Sequence, residues 1–469
     1  MSTRSMTIVA LILALAGPAA AAAQEDASPA PELTDAEKLY GLSLLWQEVN
    51  YNFAFFDQVP ELDWDSVYRA AIPRVLATPT TWDYFRELQR VVALLNDGHT
   101  GVWMPPSLQE ETNRRDTYPW VLTRNVEGRV VVQAVGESLR ERIPIHSEIV
   151  EIDGRDAATV AMERRLPFIA QSTEHYRRDL ALGEALHGPA DQPVAIRYIT
   201  PDGETRTATL ARDRRTREDA WVPDVNAETP PFELRWLDDE VAYVALNTMA
   251  DTIPAVEFER ALPELRRAKG LVIDVRENGG GSSSVGYRVL SWLTDDTLET
   301  SRWRTREHRA AHKAWGQWSE DRRAYWEMDA WYDGGTHGAI EPAEGERLIV
   351  PTVILQDHAT FSAAEDFLVA AEAIPHFTTV GRPSGGSTGQ PLIVDLPGGG
   401  GFRVCTKRDT YPDGRDFVGV GAQPDVLVEP TLADLRAGRD PQLARALQIV
   451  QRATPPRPQE ASRRDRPGP

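Results

Sequence analysis

"GLVIDVRENGGGSSSVGYRVLS", residues 270 to 291, decides how this chain is built. Its opening run of Leu, Val and Ile has no polar alternation, the pattern of a strand covered on both faces. The run ends at Arg276, Glu277 and Asn278, and Gly279, Gly280 and Gly281 form a turn before an amphipathic helix. Glycines at such a turn let backbone N–H groups point at an approaching anion. The G-x-G-x-x-G spacing of a dinucleotide site is absent and no phosphate-loop lysine follows, which argues against nucleotide chemistry.

The same succession repeats on either side. "EVAYVALNTM" (240–249) reads as a strand and "VEFERALPELRRA" (256–268) as a helix; "IVPTVILQD" (349–357) is again a strand and "SAAEDFLVAAEAI" (362–374) a helix. Residues 230–450 are therefore expected to form an α/β region whose sheet is buried by helices. Upstream, 34–105 carries apolar residues at helical spacing, among them Leu39, Leu42, Leu45, Trp46 and Val49, and reads as an N-terminal helical domain. From 117 to 213 the period becomes alternating, with turns at Val126-Glu127-Gly128 and Pro201-Asp202-Gly203 and a helical insertion of about 30 residues between its strands. The chain is thus read as multi-domain α/β.

The ends and the charge bound the function. Arg4, the apolar run from Ile8 to Ala16, Gly17-Pro18 and an alanine series read as a signal peptide over 1–23, so an exported protein, periplasmic or extracellular, is expected. The run is too short for a retained membrane anchor. Residues 453–469, rich in Pro and Arg, read as a disordered tail. Net charge is −20, which opposes the phosphate contacts on which nucleic-acid binding depends. Cys405 is the sole cysteine, so no internal disulfide forms, and Lys38, Lys269, Lys313 and Lys407 are the only lysines.

Two further stretches carry residues with possible chemistry. In "HATFSAAEDF" (358–367), Ser362 and Glu365 spell a capping box, in which serine and glutamate satisfy the first backbone donors of a helix. The same placement also holds a serine at a strand-to-helix turn, in the positive field of a helix N-terminus, where it can act as a nucleophile if a base lies near. In "LLNDGHTGVWM" (94–104), His99 follows Asn96-Asp97-Gly98 at the end of a helix and is the candidate for that base. Trp303, Trp315, Trp318, Trp326 and Trp331 are expected to pack against the core rather than line a substrate rim. His308 and His312 lie four apart, but no third ligand accompanies them, and no metal or organic cofactor is expected.

Taken together, "LQRVVALLNDGHTGV", "GLVIDVRENGGGSSS", "ATFSAAEDFLVAA", "TTVGRPSGGSTGQP" and "GVGAQPDVLVEPT" resemble, in order, the blocks of the tail-specific or C-terminal-processing serine peptidases, the tricorn-like branch best. The resemblance spans roughly 40 to 445. It implies a crotonase-like ββα catalytic core and a PDZ-like domain at 117–213. It also implies a peptide or unfolded-protein substrate, Ser362 as nucleophile and His99 as general base. It implies an oxyanion hole of backbone N–H groups from Gly280, with Gly279 beside it, and Ala363. The lysine that serves as base in the processing branch would fall near Ser387, where there is none; Lys407 is the alternative should His99 prove dispensable. Two departures stand out: Gly98 replaces a serine before the histidine, and Val418 stands near the expected glutamate. Asp416 and Asp97 are the candidate orienting carboxylates. The alternative function is a weak or inactive binder of peptides or apolar ligands on the same fold.

Overall fold

The computed structural model describes residues 32–453, so the expected signal peptide and most of the tail lie outside the described residues. At its centre is a six-stranded sheet, in the order Val426–Leu427, Phe377–Gly381, Thr352–Gln356, Gly270–Asp274, Val241–Leu246, Phe232–Trp236. All neighbours are parallel except the last pair. The three central strands are buried at every position, as their unbroken apolar sequence requires of a sheet covered on both faces. Helices Ile253–Leu265, Ser283–Ser291 and Ala363–Ala371 cover one face around Phe258, Val289 and Phe367, and Pro441–Arg452 covers the other through Ala446 and Val450.

The three N-terminal helices, Asp35–Asn52, Trp64–Leu76 and Thr81–Ala93, do not close on themselves. Their core residues Leu42, Leu45, Phe53, Phe85 and Leu88 share one cluster with Phe402, Val404, Phe417 and Val418 from the far end of the chain. The strand after them, Gly101–Trp103, pairs antiparallel with Gly401–Cys405, which pairs in turn with Pro391–Asp395. This pairing brings the Asp97–Thr100 turn alongside Cys405 and close to Ser362.

The β-rich unit is an antiparallel sheet of Val121–Val126, Arg129–Gly136, Glu148–Ile152, Val194–Ile199 and Thr205–Leu210, with the short strand Trp221–Val222 added beyond residue 213. Between its third and fourth main strands the insertion contributes helices Ala157–Arg165 and Glu174–Gly183. Among the described residues no helix is long and apolar enough to cross a membrane.

The expected packing of the tryptophans fails for three of the five, while Trp331 packs against the core that the N-terminal helices share. Trp315, Trp318 and Trp326 are 50%, 78% and 44% exposed. They sit on the short helices Ala310–Trp315 and Arg323–Trp326 and the link between them, which are too short to carry a continuous apolar face into the core.

Candidate active site

The buried strand Thr352–Gln356 runs through Asp357–Phe361 into the helix Ala363–Ala371, and Ser362 is the hinge. Its φ is 57° and ψ −123°, a left-handed conformation that costs a non-glycine residue about 1–3 kcal/mol and persists only where its surroundings fix it. Three contacts do so. The Ser362 N–H donates to the Ser387 carbonyl at 3.1 Å and to Glu365 Oε2 at 3.2 Å, and the Ser362 carbonyl accepts from the Glu365 N–H at 2.8 Å. The strained turn leaves the half-buried Ser362 hydroxyl 3.0 Å from His99 Nε2.

His99 is buried, its ring stacked on Phe361 with centroids 4.9 Å apart. Its Nδ1 lies 2.8 Å from Ser387 Oγ, which donates to Asp97 Oδ1 at 3.2 Å. Asp97 also accepts from Thr100 Oγ1 at 2.5 Å and from Ser172 Oγ at 3.3 Å. Proton positions follow from this order. A hydroxyl that gives its proton to a carboxylate must accept from Nδ1–H, which leaves the lone pair on Nε2 towards Ser362. The chain Asp97–Ser387–His99–Ser362 thus sets a tautomer able to take the serine proton.

Burial, with Arg403 and Lys407 nearby, pushes the His99 imidazole down to about 3. Burial raises the Asp97 carboxyl, with the Thr100 hydroxyl, the His99 N–H, Arg403 and Ser387 opposing. A base is active when unprotonated, and a depressed pKa keeps His99 neutral as the pH falls. The kcat/KM plateau is therefore expected to extend below pH 6, whereas an imidazole at its ordinary value of about 6.5 would lose the larger part of its activity there; a pH–rate profile measures this.

Glu365 joins the two halves of the site. Its Oε1 accepts from Ser384 Oγ at 2.5 Å and the Gly386 N–H at 2.8 Å; its Oε2 accepts from the N–H groups of Ser387 at 2.9 Å and Ser362 at 3.2 Å. Burial pushes this carboxyl up to about 8 while the four donors pull against it. The box-like reach of Glu365 to the Ser362 N–H and the approach of the Ser362 hydroxyl to His99 coexist in one geometry.

The remaining sequence candidates divide. Asp416 is not brought to His99; Arg408 holds it at 2.8 Å and also pairs with Asp57. Val418 is buried in the helical core, its carbonyl accepting from Gln58 at 2.9 Å. The Gly280 N–H, expected to face an oxyanion, donates instead to Asn278 Oδ1 at 2.9 Å. Gly280 has φ +90°, and a Cβ there would lie 2.7 Å from Ser362 Cβ and the Phe361 carbonyl and 2.8 Å from the Ala363 N. Its role is to let the Gly-rich turn press against Ser362. Gly280→Ala, whose Cβ would push on Ser362 and the Ala363 N–H, is therefore expected to lower kcat by about 10²-fold, the scale of displacing one oxyanion donor, in a steady-state assay. Ala363 opens the helix and so offers one of its orphan N–H groups. Ser387 and Glu365 carry more of the site than their sequence context suggested. His308 and His312 turn to Tyr51 and to Trp315 and Tyr325, and among the described residues no group of three or more His, Cys, Asp or Glu could hold a metal.

A serine hydroxyl within reach of a neutral imidazole, at a helix N-terminus above a parallel sheet, is the arrangement of a serine hydrolase. Residues 240–428, which carry five of the sheet's six strands and Ser362, match the model of Peptidase family S41. The "C-terminal processing peptidase, chloroplastic" of Tetradesmus obliquus is 26% identical over 262 residues, covering 53% of this chain and 49% of its own. The "Carboxyl-terminal-processing protease" of Synechocystis sp. is 23% identical over 319 residues, covering 65% and 60%. The chain thus spans about half to three fifths of these curated relatives. The fold resembles the crystal structure of mature CPAF, with a TM-score of 0.70 and 15% identity over 89% of this chain and 98% of that one.

Proposed function

We propose that the chain is an exported serine endopeptidase with a crotonase-like catalytic core and a PDZ-like β domain. Ser362 is the nucleophile and His99 its general base; Ser387 and Asp97 orient the imidazole. The observation that carries this reading is the 3.0 Å approach of His99 Nε2 to Ser362 Oγ, on a turn strained at Ser362 itself. Ser362 Oγ attacks the peptide carbonyl carbon as its proton passes to Nε2, and the negative charge moves to the carbonyl oxygen. The imidazolium then hands the proton to the departing amine, the C–N bond breaks and an acyl-enzyme remains. Water, deprotonated by the same Nε2, attacks the ester, and the acid product leaves as Ser362 regains its proton. The Ala363 N–H and the neighbouring Gly279 turn stabilise the oxyanion, each donor contributing about 3 kcal/mol to the transition state.

Net charge of −20 disfavours nucleic acid, and an extended peptide suits the edge of an antiparallel sheet such as the one at 117–222. The test is treatment of the purified chain with a fluorophosphonate probe and, separately, with a denatured protein. Adduct formation on the peptide containing Ser362, together with cleavage, is the expected result. A protein inert to both would overturn the reading and favour the binding alternative.

A further inference from the structure

The insertion in the β domain reaches into the site just described. Ser172 Oγ accepts the Gly98 N–H at 3.1 Å and donates to Asp97 Oδ1 at 3.3 Å. The next residue, Thr173, is buried and gives its hydroxyl proton to the Gly385 carbonyl at 3.1 Å, and His175 Nε2 lies 2.7 Å from the Ser384 carbonyl. Gly98 has no space for a side chain, because a Cβ there would meet Gln171 Oε1 and the Phe361 ring. On the other side, Asp179 of the same insertion binds His358 Nδ1 at 2.7 Å and Asn125 Nδ2 at 2.7 Å, tying the segment that leads into Ser362 to the first strand of the β sheet.

These contacts are not spread evenly over the surface of the core. They fall on the Asp97–Gly98 turn, on the Ser384–Gly385 loop and on His358, the segments that carry the groups around His99 and Ser362. Asp97 Oδ1 is the atom that receives the Ser387 proton, and Ser172 is the second hydroxyl donating to that same oxygen. Without Ser172 the oxygen loses a donor and the Gly98 N–H its acceptor, so the turn that presents His99 is freed on one side.

We propose that Ser172, supplied by the β domain, is a positioning residue of the catalytic site, holding Asp97 and the His99 turn so that Ser387 keeps its proton on Asp97. The proposal rests on the Ser362/His99 reading, and its test separates the two. Ser172→Ala is expected to lower kcat about tenfold, the scale of a lost hydrogen bond to a charged group, with KM changed less than about twofold, while Ser172→Thr, which keeps the hydroxyl, restores kcat to near the wild type. In parallel, ¹⁵N NMR of histidine-labelled protein, with the His99 signals assigned by a His99→Gln variant, is expected to show the His99 Nδ1 and Nε2 shifts moving towards a tautomer mixture in Ser172→Ala and returning in Ser172→Thr. Ser172→Cys, close in size and a poor donor, carries the same expectation if the alanine variant fails to fold. Unchanged kcat and unchanged His99 signals in the folded Ala or Cys variant would overturn the role of Ser172. A wild type without turnover whose His99 signals still respond to Ser172 would overturn the peptidase reading and leave the brace standing.

Discussion

Ser362→Ala is expected to reduce turnover of a denatured protein substrate by about 10⁵-fold and to abolish fluorophosphonate labelling. The size follows from what stays behind. Alanine removes the nucleophile, while the Ala363 N–H and the turn around Gly279 keep their positions, so a residual rate above the uncatalysed reaction is expected from binding and oxyanion stabilisation alone. Stability gives a second reading of the same residue. Ser362 holds φ 57° and ψ −123° without being glycine, and alanine relieves none of that strain. Ser362→Gly should be equally inactive and yet raise the unfolding free energy by about 1 kcal/mol, because glycine adopts φ > 0 without the Cβ penalty. Inactive variants ordered Gly above Ala in thermal midpoint would mark the turn as strained for the sake of the hydroxyl. Labelling that survives in Ser362→Ala would assign the nucleophile elsewhere.

The sequence was most legible where one local pattern dictates one environment. Val272 and Ile273 lie in an unbroken apolar run and lie buried between two helical layers, and the strand–turn–helix order at 352–371 brings Ser362 to a helix N-terminus. His99 was legible as a residue but not in its partners, because those are set by pairings nearly 300 positions apart. Ser387 stands in a Gly- and Ser-rich loop with no periodicity, and only its hydrogen bonds to His99 and Asp97 single it out. Asp416 is near the site in the order of blocks but is claimed by Arg408, an ion pair that spacing does not announce. The N-terminal helices read as a separate domain because their apolar stripes are local. That their core is completed by Phe402, Val404 and Phe417 is a property of the whole chain. The exposed tryptophans failed in the opposite sense: side-chain hydrophobicity argued for burial, but helices as short as Ala310–Trp315 cannot turn three indoles inward together.

Asp97→Ala is expected to lower kcat by about 10³-fold, a loss approaching that of a triad in which the imidazole is trapped in the wrong tautomer. The reason lies in Ser387. With Asp97 present, the Ser387 hydroxyl proton goes to Oδ1 and its oxygen accepts from His99 Nδ1–H. Remove the carboxylate, and the same hydroxyl, buried and in need of an acceptor, turns its proton onto Nδ1 at the same 2.8 Å. Nε2 then carries the ring hydrogen and points a donor, not a lone pair, at Ser362 Oγ. Ser387→Ala alone leaves no hydroxyl to drive that reversal, so its loss should be milder, about tenfold for an unoriented imidazole. The double variant Asp97→Ala/Ser387→Ala is accordingly expected to recover about tenfold or more over Asp97→Ala, an interaction energy of opposite sign to additive damage. Steady-state kcat values for the four proteins, with thermal midpoints confirming that each folds, decide the matter. A double variant slower than either single would mean that Asp97 acts on His99 by charge alone, and that Ser387 is a passive bridge rather than the group that chooses the tautomer.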